Sequence, residues 1–279
     1  MIAFHNWLYK KDLSWSNLRF YRFVRFCLRM FSEIINSMIF INSNILDEIQ
    51  QQKKSETLII VGNGPSLNKM NLEFLHKYDS LTVNAFHTKA AELSLRPTFH
   101  LIEDNLPAYE NKDELMYFDC GLFLIPTSFK WMYPRMKSKC VTFNFIRSAL
   151  NYRLFGKFKF SRNFERRCYW GGTVLFAALQ LARRLEYQRV ILIGVDLTYT
   201  IPDDAIVCGN IIQTIGADPN HFNDNYFGYG KKWHLPEVER MQAAFDCALE
   251  VFNEDKIELV NAGIGGNLRN IPRIDYTLL

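Results

Sequence analysis

Four apolar residues running straight into a Gly-Asn-Gly-Pro-Ser turn, in Leu58-Ile59-Ile60-Val61-Gly62-Asn63-Gly64-Pro65-Ser66-Leu67, constrain this chain more than any other stretch. A short apolar run closed by glycine predicts a strand buried on both faces. Two glycines one residue apart allow a sharp turn and bring bare backbone N–H groups close to a ligand. Ser66 is placed to cap a following helix, and the open N–H groups of a helix start make an anion site. Strand, turn and helix together read as a phosphate-binding element of a nucleotide fold. The third glycine of the dinucleotide fingerprint is missing and no Gly-Lys-Ser/Thr follows, so neither that motif nor the P-loop is present. The plainer alternative is a tight strand-to-helix turn without a ligand.

Further strands are predicted at Leu81–Asn84, Phe99–Ile102, Gly121–Ile125, Cys140–Phe143, Arg189–Asp196 and Ile257–Asn261. Helical patterns fall at Ala90–Leu95, Thr173–Leu185 and Leu235–Phe252, the last with Pro236 in its first turn. Alternating strands and helices predict an α/β, Rossmann-like, mostly parallel sheet with helices on both faces. Residues 197–234 show little periodicity and read as a long polar and aromatic lid loop. In such sheets ligands bind beyond the carboxyl ends of the strands. Asn63, Asn84, Asp104, Asp196 and Asn261 stand at those ends, and their convergence on one rim marks the expected site. Singly, each fits an Asx turn as well.

With 279 residues, 48% of them apolar and 22% charged, the chain can bury a sizeable core. Its net charge of +4 is concentrated early, where Arg22, Arg25 and Arg29 recur at helical spacing among Phe, Val, Leu and Met. No apolar run there reaches the roughly 18–20 residues of a membrane span. The pattern over 20–41 fits either a helix lying on an anionic bilayer or one packing its aromatic side on the domain. Residues 1–56 therefore read as a basic amphipathic segment and 57–279 as the nucleotide-binding domain. Cys27, Cys120, Cys140, Cys168, Cys208 and Cys247 form no CxxC pair and predict neither a zinc site nor a disulfide framework.

The Gly-Asn-Gly-Pro-Ser turn, Val83-Asn84, Gly171-Gly172-Thr173 before a helix, and Ile191-Leu192-Ile193-Gly194-Val195-Asp196, in that order, resemble two related groups. One is the bacterial CMP-sialic acid transferases of glycosyltransferase family 42. The other is a broader domain family that includes archaeal pterin pyrophosphokinases and motility accessory factors, and the resemblance spans roughly residues 57–276. It implies a variant of the GT-A-like fold. It also implies nucleotide contacts at Gly62, Asn63, Gly64 and Ser66, cytosine recognition at Asn84, and further contacts at Gly171, Gly172 and Thr173. The family has Ser-Gly where this chain has Gly171-Gly172. Of the tyrosines that hold the leaving phosphate, Tyr199 lies one place off, and Tyr226 or Tyr229 can stand in for the second. The catalytic base is implied to be a histidine ahead of the last long helix, His221 or its rival His234.

A glycosyl transfer that displaces a nucleotide needs a base for the acceptor hydroxyl, stabilisation of the departing phosphate and exclusion of water. Histidine serves the first need at neutral pH. Backbone N–H groups with Lys231 or Lys232 nearby serve the second. The lid, with Phe222, Phe227 and Trp233, serves the third. Capping or packing is the competing role for His234, while His5, His76, His87 and His100 lack a comparable context. The resemblance thus implies a transferase moving an acidic sugar (sialic acid or another ulosonic acid) from a CMP-activated donor to a surface glycan or lipid-linked saccharide. The implied site is the cytoplasmic membrane face, with a homo-oligomer allowed and no nucleic acid involved. No cofactor or metal is expected. A pyrophosphokinase, the alternative enzyme, would hold Mg²⁺ through Asp104 and Asp196. A non-catalytic membrane-associated nucleotide-binding protein is the third reading. Gly263–Leu268 resembles the closing motif of the broader family, or is a packing loop.

Overall fold

The computed structural model describes residues 44–147, 152 and 156–279; the basic segment expected over 20–41, with Cys27, lies outside the described residues. The described strands are β1 (Thr57–Val61), β2 (Asp79–Val83), β3 (Phe99–Leu101), β4 (Leu122–Pro126), β5 (Cys140–Phe143), β6 (Phe145–Ile146), β7 (Cys168–Tyr169), β8 (Arg189–Ile193), β9 (Ile206–Cys208), β10 (Ile211–Gln213), β11 (Lys232–His234) and β12 (Glu258–Asn261). The α-helices are α1 (Asn44–Gln51), α2 (His87–Glu92), α3 (Asn105–Glu110), α4 (Lys112–Tyr117), α5 (Val174–Arg184) and α6 (Val238–Glu254). Seven strands form one sheet in the order β12-β8-β1-β2-β3-β4-β5. Every neighbouring pair is parallel. These are the seven strands the apolar runs predict, and the α/β Rossmann-like reading holds.

The period-two pleat of β1 divides the interior into two layers. Leu58 and Ile60 join the cluster formed with α5 and α6, through Phe176, Leu179, Phe245 and Phe252. Ile59 and Val61 face the other way, into a cluster with Leu67, Phe86, Phe222, Tyr226, Phe227 and Trp233. Among the described residues, then, long helices cover one face, whereas short helices, 3₁₀ turns and segment 197–234 cover the other. The expected helices on both faces are present in this unequal form.

That segment is not an open loop. It contains the antiparallel ribbon β9-β10-β11, in which Ile211 pairs with His234 and Ile212 with Trp233. The ribbon is short and its alternation is broken by turns, so the sequence pattern hides it. Leu46 of α1 is fully buried in the main core and Arg184 pairs with Asp47, so the packed domain starts ahead of residue 57. Helix α6 begins at Val238, with Pro236 just before it. All five described cysteines are free thiols.

Candidate functional site at the carboxyl rim

Strand β1 leads through its crossover to β2 on one side, while β8 pairs with it on the other. The loops after β1 and β8 therefore part at a switch point, the usual ligand crevice of open parallel sheets. The two loops lock together there. Gly62 N–H donates to the Ile193 carbonyl at 2.8 Å and Gly64 N–H to the Gly194 carbonyl at 2.9 Å. Ser66 N–H donates to Asp196 Oδ2 at 2.9 Å, and the Ser66 hydroxyl donates to Asp196 Oδ1. A Cβ on Gly62 would lie 2.3 Å from the Gly194 oxygen, and one on Gly64 would lie 2.5 Å from Asp196 Oδ2.

These contacts correct two expectations. Ser66 does not cap a helix, because Pro65–Lys69 is a 3₁₀ turn with Gly64 at its N-cap and no side-chain cap. The donors expected to cradle phosphate at Gly62, Gly64 and Ser66 all face the end of β8. Both glycines are required for the close approach of the two loops.

Asn63 is different. Its Nδ2 donates to the Val83 carbonyl at 3.1 Å and to the Tyr226 hydroxyl at 3.0 Å. Those two acceptors fix the amide orientation and leave Oδ1 buried without a partner among the described residues. Asn84, at φ 51°, begins the turn after β2, and its Oδ1 is likewise buried and unpartnered. Two orphaned acceptors side by side on the rim call for a ligand that donates, because an unmet buried acceptor costs about 1–3 kcal/mol. Burial raises the Tyr226 phenol far above its ordinary value, with the Ala85 backbone, Asn84, Asp104 and Asp218 around it.

Tyr226 carries the histidine. The His221 ring stacks on it at 4.0 Å, with an interplanar angle of 2°. His221 Nδ1 lies 2.7 Å from Asp218 Oδ2, and Asp218 also accepts from the backbone N–H groups of Asn220 and Phe227. Phe222 N–H donates to the Asn63 carbonyl, and Asn68 Nδ2 donates to the Phe222 carbonyl. The segment is thus seated on the β1 turn. Burial, with Asp196 and Asp218 facing it, pushes Tyr199 up to about 12.

The structure brings Asn63, Asn84 and His221 together around Tyr226 and locks Ser66 to Asp196. Tyr199 stands between Asp196 and Asp218, and the charge of Asp104 is felt at Tyr226. Gly171, Gly172 and Thr173 form a neighbouring turn outside these contacts. Gly172 sits at φ +80° against Arg240 and Met241, Gly171 packs under Phe176, and Thr173 caps α5 by accepting from Leu175 N–H. Met241 links this turn to Tyr199, because its sulfur accepts from that hydroxyl at 3.8 Å. His234 stands apart on β11 with an exposed side chain, in a strand rather than at a helix cap. Gly263–Leu268 folds back on β8, with Asn267 N–H donating to the Asp196 carbonyl.

Sequence reasoning missed Asp218, which only the three-residue spacing to His221 hints at, and two histidines on the rim. His100 is fully buried between Thr82 Oγ1 and the Asn84 carbonyl, and burial holds it down to about 3. His87 lies 2.6 Å from Glu114, with burial lowering its basicity. Next to Asp104, burial pushes the Glu103 carboxyl up to about 8 against the pull of Arg147.

The two carboxylates considered for a divalent cation, Asp104 and Asp196, both already accept hydrogen bonds from the protein. Asp104 caps α3 by accepting from Leu106 N–H, and both Asp196 oxygens accept from Ser66. No three His, Cys, Asp or Glu side chains among the described residues converge on a cation position.

The sequence matches the family described as 6-hydroxymethylpterin diphosphokinase MptE-like over residues 32–202. No curated protein matches the chain. Among solved structures, the fold is similar to that of the MAf glycosyltransferase from Magnetospirillum magneticum AMB-1, with a TM-score of 0.52 and 16% identity. That match covers 80% of this chain and 34% of the other, so this chain spans about a third of that protein's length, and the likeness is one of fold.

Proposed function

The chain belongs to the 6-hydroxymethylpterin diphosphokinase MptE-like family, and we propose from its rim geometry that it is a glycosyltransferase using His221 as general base. The observation that carries this reading is the Asp218–His221 pair stacked on Tyr226 over the carboxyl rim. With Asp218 accepting from Nδ1–H, the imidazole keeps Nε2 as a proton acceptor. The acceptor hydroxyl gives its proton to Nε2 and its oxygen bonds the anomeric carbon. The bond from that carbon to the nucleotide phosphate breaks, and its electron pair stays on the phosphate.

The orphaned acceptors of Asn63 and Asn84 suit the amino group of a nucleobase, in line with a CMP-activated acidic sugar as donor. Thr173 and the N-terminus of α5 lie where the departing phosphate would be met by partial positive charge. Phe222, Tyr226 and Phe227 exclude water. The acceptor is a surface glycan or lipid-linked saccharide, with residues 20–41 holding the protein to the anionic cytoplasmic face of a membrane. No helix among the described residues is long and apolar enough to cross a bilayer.

The test is calorimetric titration with CMP, CDP, UDP, ATP and GTP, followed by turnover of His221→Ala. CMP should bind in preference to the purine nucleotides. The variant should lose roughly 10²–10⁴-fold in turnover with donor binding kept, the usual size of general-base catalysis. Binding of ATP alone, with Mg²⁺-dependent AMP release, would replace this reading by a diphosphokinase. Activity surviving His221→Ala but not His234→Ala would move the base.

A further inference from the structure

Six of the ten large apolar side chains exposed among the described residues fall between 201 and 235: Ile201, Ile206, Val207, Ile215, Tyr229 and Leu235. All belong to the β9-β10-β11 ribbon or to the turns that lead into and out of it. Ile206 and Val207 make up most of β9, the outer strand of that ribbon. Natural edge strands are guarded by charge, proline, a bulge or shortness, because open N–H and C=O groups invite another strand. Strand β9 is short, but it carries no charged residue and no proline.

The register identifies the open backbone groups. Thr214 N–H donates to the Lys231 carbonyl at 3.2 Å and Leu235 N–H to the Asn210 carbonyl at 2.8 Å. Even-numbered residues along β10 therefore direct their backbone at β11. By the alternation of an antiparallel ladder, Ile211 and Gln213 face β9, where they pair with Cys208 and Ile206. Val207, between those two, turns both its N–H and its C=O outward, away from β10. Its side chain ends a row. Trp233, Ile212 and Val207 lie side by side across one face of the ribbon. Trp233 is 4% exposed and Ile212 0%, yet Val207 is 54% exposed, so the apolar row is cut off at the open edge.

A second copy of β9 completes both features. Laid antiparallel on a two-fold axis through Val207, each Val207 N–H donates to the partner's carbonyl and each apolar row continues into the other. Ile206 then stands opposite the partner's Cys208, with no charge on either side. Asp203 and Asp204, just ahead of β9, go to opposite ends of the paired strands, whereas a parallel arrangement would set them against themselves. The edge is thus complementary to itself in hydrogen bonding and in charge, as an isologous contact requires.

We propose that β9 is a dimerisation edge, pairing with β9 of a second copy to make one six-stranded antiparallel ribbon. The inference goes beyond the transferase reading and does not depend on it. Light scattering on the full chain over a wide concentration range should show twice the mass of one chain, falling to a single mass on dilution. Val207→Pro removes only an outward N–H, so the far-UV circular dichroism should hold. Dimerisation should weaken at least about tenfold, the worth of two ladder bonds. Val207→Lys sets two like charges on the axis and should weaken it as well. Facing Cα atoms in such a pair lie about 5.5 Å apart, within disulfide reach. Val207→Cys, made together with Cys208→Ser, should therefore give a covalent dimer under mild oxidation. A single-chain mass at every concentration overturns the proposal. So does a dimer that Val207→Pro and Val207→Lys leave unweakened, or one that Val207→Cys fails to cross-link.

Discussion

On one face of the sheet, α5 and α6 lay apolar stripes over Leu58, Ile60, Val190 and Leu192; on the other, Ile59, Val61, Ile191 and Ile193 meet short turns and the segment 197–234. Both faces are dry, yet they are dry for different reasons. Each long helix forms its own backbone hydrogen bonds and needs the sheet only for its stripe. Segment 197–234 has a three-strand ribbon of its own and otherwise stays seated through a few aromatic contacts and long-range hydrogen bonds, such as Asn63 to Tyr226 and Asn68 to Phe222. A region held that way opens at lower free energy than the core. His221, stacked on Tyr226, rides on the weakly held face and the turn at 171–173 adjoins the strongly held one.

The contrast can be broken most directly by Phe176→Ala. Phe176 projects from α5 into the core and is fully buried, so its loss should cost about 3–5 kcal/mol of global stability in urea denaturation. A loss below about 1 kcal/mol would mean the helical face is not the stronger one.

Titration gives the next effect, on the sheet itself. His100 is held at about 3 in the fold, below its ordinary 6.5, so the unfolded chain binds more protons between those values. Its contribution is complete above pH 6.5 and drains away as pH falls toward 3. Glu103 has the opposite sign: held near 8, it favours the fold below its ordinary 4.5 and loses that contribution as pH rises through 8. Denaturation midpoints should therefore fall on both flanks, and His100→Gln should remove most of the acid slope. An unchanged acid slope in that variant would place the titrating group elsewhere.

Tyr226→Phe sharpens the comparison on the other face. It leaves one Asn63 N–H unmet, at about 1–3 kcal/mol, and the effect should be local. Amides of 218–229 should exchange faster with solvent while those of β1 and β8 keep their rates. Equal acceleration in the strands would show that the two faces unfold as one. Thr173→Ala should be smallest, about 1 kcal/mol for a lost N-cap, seen as a shift in the thermal midpoint.

The sheet was legible because each of its strands is a short apolar run closed by a turn residue, a signal contained within a few neighbours. The ribbon was not, since Ile206–Cys208 and Ile211–Gln213 are three-residue strands that acquire their pairing from each other and from Trp233. The rim residues Asn63, Asn84 and Asp196 were legible by place, at strand ends, but not by partner. His100 looked like any strand residue until Asn84 turned its carbonyl onto it.

The sequence by itself determined the strand set, the alternation that makes them parallel, the strand ends at which polar residues stand and the glycines that turn the chain sharply after β1. Those follow from local periodicity and backbone permissiveness. Tertiary structure alone decided that Ser66 answers to Asp196, 130 residues away, and that Asn63 answers to Tyr226, 163 residues away. It also decided which histidine stands over the rim and which is stranded on an outer ribbon. A donor's free partners are counted only after folding has used up the rest, and no local pattern carries that count.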